Sequence, residues 1–242
     1  MKPVFRYDFK NIATVVYALA AGSVSGGPTG KFAQPGSIPQ FRKAQKTREV
    51  RPCVILFTGH RIDGPDRQQP RFPPDREDQA RAMIMAAVSE VQEKLTGELL
   101  GIAGGASGGD ILFHEVCAEM DIPTRMYLAL PQSDYIRASV ADAGPGWVER
   151  FNRLSGRQAP EVLSEAGEPL GWSRVNKDFS VWQRANLWML DSALAIAGGK
   201  LTLVALWNGA VGDGPGGTAD MIRRAQSRGA TVVRLDARKL VG

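Results

Sequence analysis

The run Gly104-Gly105-Ala106-Ser107-Gly108-Gly109-Asp110 combines four glycines with a hydroxyl and a carboxylate. Lacking a Cβ, glycine tolerates positive φ and lets backbone approach a ligand closely. Residues 98–103 before it form an apolar run of strand type, and 111–120 after it carry apolar residues at helical spacing. A helix that starts at such a turn offers free N–H groups and the positive end of its dipole, where a phosphate is stabilised. Ser107 adds a hydroxyl donor, and Asp110 either caps the helix or holds a ribose hydroxyl. A second loop, GDGPGGTAD (212–220), repeats the arrangement, with Gly216, Gly217 and Thr218 at the head of the next helix. Asp220, just inside that helix, suits the dipole, and it is also a candidate base or sugar-hydroxyl acceptor. The third piece is TGHRID (58–63). There Gly59 leads into His60, which titrates near neutrality, and Arg61, whose guanidinium pairs bidentately with phosphate.

These loops need a scaffold that brings them together. CVILFTG (53–59) is a nearly continuous apolar run, the pattern of a strand buried on both faces of a parallel sheet. A polar loop (60–75) containing four prolines follows, then an amphipathic helix over 76–95. Further strands are expected at 98–103, 124–131, 201–207 and 231–236, with helices at 111–120, 179–198 and 219–228. Short helices are expected near 135–140 and 147–154, in an otherwise irregular stretch over 132–176. Alternating strands and helices predict an α/β fold: a Rossmann-like three-layer sandwich on a mostly parallel sheet of five or slightly more strands. Ligands of such sheets bind beyond the strand carboxyl ends. All three loops follow strands, so they should converge on one crevice, as should Trp207 and Asn208 at the end of strand 201–207.

The 242-residue chain is 43% hydrophobic and 23% charged, as expected of a globular protein with a real core. Its formal charge of +5 suits an anionic ligand or nucleic acid. Residues 1–51 read as an N-terminal helix and a flexible linker rich in Gly, Pro, Ser and basic residues, and 52–242 as the nucleotide-binding domain. GGPTGK within the linker lacks the spacing of a P-loop and follows no strand. The apolar run at 12–22 is too short to span a bilayer. No membrane association is therefore expected, and the protein reads as soluble and cytoplasmic. Cys53 and Cys117 have no CxxC spacing, and there are two histidines, so neither a metal site nor a Ser-His-Asp triad has support. No cofactor is implied. His114, on an apolar helix, reads as packed. Trp147, Phe151, Trp172, Trp182 and Trp188 read mostly as packing residues.

TGHR (58–61), GGASGGDILF (104–113), ALW (205–207) and GPGGTADM (214–221) together resemble the SLOG superfamily. That group holds the Lonely Guy (LOG) phosphoribohydrolases, the fold of DNA-processing protein A and related nucleotide sensors. The resemblance spans roughly 53–236 and is strongest to SLOG-like domains appended to bacterial repeat and signalling proteins. It implies that Gly104, Gly105, Ser107, Gly108, Gly109, Gly216, Gly217 and Thr218 line a nucleotide pocket, and that Arg61 contacts the ligand. SLOG relatives often dimerise, so a homodimer and a neighbouring signalling domain are the implied partners. LOG enzymes carry Pro-Gly-Gly-x-Gly-Thr-x-x-Glu, whose Glu takes part in N-glycosidic cleavage. Here the run is shorter, and Met221 stands in the place of that Glu. Asp220 lies one residue early, which turns its carboxylate by about 100° around the helix.

The expected function is therefore binding or sensing of a nucleotide or nucleotide-derived ligand. A nucleoside 5′-monophosphate phosphoribohydrolase, an N-glycosidase, is the alternative. It needs a carboxylate near the anomeric carbon, for which Asp220, Glu115 and Asp110 are the candidates. Single-stranded DNA binding is a third reading, and it needs a basic groove with stacking aromatics.

Overall fold

The computed structural model describes residues 51–163, 179–210 and 217–241. They belong to the compact unit Arg48–Gly242. The expected N-terminal helix and linker lie, except for Arg51, outside the described residues, as do Trp172 and Gly216.

The chain forms β1 (Cys53–Gly59), α1 (Glu77–Lys94), β2 (Leu99–Ala103), α2 (Gly109–Glu119), β3 (Thr124–Leu128), α3 (Gln132–Ser139), α4 (Pro145–Arg157), β4 (Glu161–Val162), α5 (Val181–Ala197), β5 (Leu201–Trp207), α6 (Thr218–Ser227) and β6 (Thr231–Asp236). Short 3-10 turns lie at Pro74–Arg76, Ala141–Ala143 and Ala237–Leu240. The six strands form one sheet in the order β4-β3-β2-β1-β5-β6, and every neighbouring pair is parallel. Strands 53–59 and 201–207 are adjacent, in register from Val54↔Leu201 to Gly59↔Leu206. The sixth strand, β4, is two residues long and sits in the stretch expected to be irregular.

The apolar run of β1 supplies two cores because side chains alternate across a sheet. Cys53, Ile55 and Phe57 join a cluster with α1, α2 and α4 residues such as Ile84, Leu112 and Phe151. Val54 and Leu56 join a second cluster with Leu190 of α5 and Ile222 of α6. Helices thus cover both faces, and the central strands are buried along nearly their whole length. Phe57 is fully buried and stacks on Phe113 at a centroid distance of 5.0 Å. Phe57→Ala should cost about 3–5 kcal/mol, the range for emptying a packed aromatic position, read as the shift of a urea midpoint.

From β1 the chain moves one way, through β2 and β3 to β4. It then returns through α5 to β5 on the other side of β1 and continues outward to β6. The reversal lies between β1 and β5. The loops that follow these two strands diverge there and leave a crevice, the usual ligand position in open parallel sheets. No helix among the described residues is long and apolar enough to cross a membrane.

Candidate functional site

A cavity of about 350 Å³ opens at that crevice. Its floor is the carboxyl end of β1, at Phe57, Thr58 and Gly59, with Gly104 and Ala106 beyond β2. Arg61 and Asp110 supply its charges, Tyr135 and Trp182 its aromatic wall, and Gly217 and Thr218 the head of α6. A second cavity, of about 370 Å³, is walled by Trp147 and by prolines of the loop after β1, and no Gly-rich loop reaches it.

The loop after β1 is tied to the first Gly-rich loop by backbone. Gly109 N–H donates to His60 O (3.1 Å), Ile62 N–H donates to Ser107 O (3.2 Å), and Arg61 bridges Gly108. Gly108 has φ +95°, and a Cβ there would lie 2.5 Å from the Ile62 nitrogen. Gly105 is also closely held, though by side chains: its Cβ would lie 2.8 Å from the Phe151 ring. Gly105 N–H donates to the Tyr135 hydroxyl (3.2 Å), and Ser107 N–H donates to Ser139 O (3.0 Å). The glycines here therefore serve close packing of backbone on backbone and on side chains. Gly104 and Asp110 of this loop line the cavity, whereas Gly105, Ser107, Gly108 and Gly109 lie buried behind it. The Ser107 hydroxyl is buried without a hydrogen-bond partner.

Both histidines are structural. His60 Nε2 accepts the Asn208 N–H (3.1 Å), and burial together with the nearby Arg71 charge lowers its pKa to about 4. It thereby latches the β1 loop to the end of β5. His114 bridges Gly104 O (2.9 Å, through Nε2) and the Thr124 hydroxyl (2.8 Å, through Nδ1). A carbonyl only accepts, so Nε2 carries the proton and Nδ1 accepts from Thr124. Burial again lowers the pKa to about 4.

The three candidate carboxylates have different surroundings. Glu115 takes a two-point ion pair from Arg150 (2.9 and 2.5 Å), which also reaches Glu77 (2.6 Å) and lies 4.0 Å over the Trp147 ring. Asp220 is paired with Arg223 and with Arg224 (2.8 Å). Neither lines the cavity. Met221 is buried in the second core. Asp110 does face the cavity. Its Oδ2 accepts the Ala106 N–H at 3.3 Å. Burial raises its pKa to about 7, against smaller opposing effects of that N–H and of Arg61.

Arg61 is committed elsewhere. It pairs with Asp142 and donates to Ala138 O (3.5 Å), while its Nε is buried without a partner. Trp207 and Asn208, expected in the crevice, are not among the residues that line the cavity. The Trp207 indole N–H donates to Ala210 O (2.8 Å), and Asn208 Oδ1 accepts the Ala210 N–H (3.1 Å).

Two aromatics lie where sequence reasoning did not place them. Trp182 is 37% exposed at the cavity rim, 5.7 Å from the Tyr135 ring centroid. A capping box between Ser180 and Gln183 starts α5 and sets Trp182 in its first turn. That capping signal is readable in the sequence, but the distance to Tyr135 is a tertiary fact. Asn186, one turn further along, also lines the cavity. Among the described residues, no group of three or more His, Cys, Asp or Glu is placed to hold a metal ion. In comparison with known proteins, the chain matches no protein-family model, and no curated protein is similar to it.

Proposed function

We propose that this domain binds a nucleotide or nucleotide-derived ligand in the cavity between the ends of β1 and β5, as a binding or sensing module of SLOG type. The observation that carries the reading is the composition of one cavity at the reversal point of the sheet. It unites an aromatic wall (Trp182, Tyr135), a guanidinium with an unpartnered Nε (Arg61) and the N-terminal end of α6 at Gly217 and Thr218. A base stacks on aromatic faces, and an anionic group is favoured by a guanidinium and by the positive end of a helix.

The N-glycosidase reading is less favoured because Asp110 is the only one of the three candidate carboxylates that lines the cavity. Glu115 and Asp220 are held by arginines outside it. Cleavage would leave one group to serve both the leaving base and the attacking water. Single-stranded DNA binding is less favoured still, since it calls for a basic groove and Arg61 is the one cation among the described residues that line the cavity. A signalling neighbour, a homodimeric state and a cytoplasmic location go with the sensor reading.

The test is a thermal-shift screen with AMP, GMP, NAD, ADP-ribose and cyclic nucleotides, each hit then assayed for base release. A ligand at a hundred times its Kd stabilises the fold by about 2.7 kcal/mol. Stabilisation without base release is expected, and release of free base would make the domain an N-glycosidase. Trp182→Ala should weaken binding of a hit by roughly 1–3 kcal/mol, the usual value of one base–aromatic stack. Because the side chain is partly exposed, the unliganded melting temperature should barely move. Unchanged affinity in Trp182→Ala would remove the aromatic wall from the site.

A further inference from the structure

Asp110 is a carboxyl group placed where the reading above expects an anionic ligand. The cavity lining pairs this one acid with one cation, Arg61. The cation does not neutralise the acid directly, because its guanidinium is bonded to Asp142 and Ala138 O. Asp110 itself accepts one hydrogen bond, on Oδ2 from the Ala106 N–H. The other groups around it are uncharged or already paired. Tyr135 of α3 keeps its hydroxyl proton, since burial and the Asp110 charge both raise its pKa. Asn186 and Trp182 of α5 are neutral. His114, one turn along α2, is committed to Gly104 O and Thr124, and Glu115 is paired with Arg150 of α4. An anion entering this space meets a carboxylate whose nearest cation, Arg61, is already shared with Asp142. A carboxylic acid in the same position is instead a hydrogen-bond donor.

We propose that Asp110 binds the ligand's anionic group as a neutral carboxylic acid, donating its proton to an anionic oxygen beside the Arg61 guanidinium, so that binding takes up a proton wherever the unliganded carboxyl is ionised. The proposal rests on the nucleotide-binding reading and adds to it the protonation state in which the site works. The preferred ligand class is one whose phosphoryl oxygens keep fixed negative charge, such as a phosphodiester or a pyrophosphate diester. The unliganded carboxyl already titrates near neutrality, because burial disfavours its charge. An incoming anion pushes it further toward the acid form, and binding and protonation then reinforce each other.

The experiment titrates adenosine 3′,5′-cyclic monophosphate and NAD, whose phosphates hold constant charge from pH 6 to pH 8. They are titrated into the full chain by calorimetry at both pH values, and at pH 7 in two buffers of different ionisation enthalpy. About tenfold tighter binding at pH 6 than at pH 8 is expected, as follows for one proton and a group titrating near 7. The two buffers should report net uptake of about half a proton at pH 7, because a carboxyl titrating near 7 is already half protonated there. Asp110→Asn should bind at pH 8 about as tightly as the wild type does at pH 6, with little pH dependence. Binding that does not vary with pH, or a variant that keeps the wild-type pH dependence, overturns the proposal and leaves the nucleotide site standing. No binding of either probe at either pH overturns both. The proton count comes from the wild type alone, so it holds even if the variant folds poorly.

Discussion

Gly108→Ala is expected to destabilise the domain by about 4 kcal/mol. Two costs add. At φ +95° and ψ −126° the backbone is in a region that residues with a Cβ occupy at a cost of about 1–3 kcal/mol. The new methyl would also stand 2.5 Å from the Ile62 nitrogen and 2.9 Å from the Arg61 carbonyl carbon. Both neighbours are backbone, so neither can move aside by changing a rotamer, and overpacking of this kind costs about 1–3 kcal/mol. In a domain of this size the sum lowers the melting temperature by roughly 10 °C. Gly156→Ala is the matched control. Gly156 lies inside α4, and a Cβ there meets nothing within 4 Å. That change should stabilise the protein by about 0.5–1 kcal/mol through helix propensity. Equal melting temperatures for the two variants would mean that the two loops are not joined as described.

Acid sensitivity is the second large effect. His60 and His114 are held neutral, each with its pKa lowered from 6.5 to about 4. As pH falls through 6.5 the unfolded chain takes up protons that the folded chain refuses until about pH 4. Stability is therefore complete above about pH 7 and lost between 6.5 and 4, by on the order of 3 kcal/mol per histidine. Asp110 acts in the opposite direction. Its pKa is raised from 3.8 to about 7, so the folded chain takes up that proton first, and stability is regained as pH falls across the same window. The wild type should thus lose a net amount on the order of 2 kcal/mol between pH 7 and pH 4.5. Asp110→Asn should melt higher than the wild type at pH 8, by roughly 2–4 kcal/mol of stability, with the gap closing by pH 4.5. Melting curves at half-unit pH steps for both proteins measure this directly. A variant that tracks the wild type across the range would show that Asp110 is an ordinary solvated acid.

The strands were legible from their apolar runs, whether nearly fully buried, as in β1 and β5, or only partly buried, as in β6. The runs 53–59, 201–207 and 231–236 match β1, β5 and β6 residue for residue, because apolar runs bounded by Gly, Asn or Asp have few other uses in an α/β chain. β4 escaped notice because two residues carry no periodicity. β3 was read three residues too long: Ala129 and Leu130 are apolar, but the ladder ends at Leu128. The location of the crevice followed from topology, since the loops of interest all follow strands. Its chemistry was less visible. Four glycines at a strand–helix junction suggest a cradle, yet Gly105, Gly108 and Gly109 are packed under Phe151, Ile62 and His60. Spacing does not separate a glycine that admits a ligand from one that admits another stretch of backbone. Tyr135 and Trp182 reach the cavity from two helices forty-seven positions apart, and no local pattern announces such a meeting.

The backbone bridge between Arg61 and Gly108 also bears on the thermodynamics of occupancy. Loops that bind nucleotides often order only when the ligand arrives, and the lost chain entropy is then subtracted from affinity. Here residues 104–110 are already fixed by the loop after β1, by Tyr135 and by Ser139. Their ordering cost is met during folding. The binding proposed above should therefore resemble, at this edge of the cavity, insertion into a rigid socket, with little conformational entropy lost by the first Gly-rich loop. Amide hydrogen exchange across 104–110 should be slow before any ligand is added and change little afterwards.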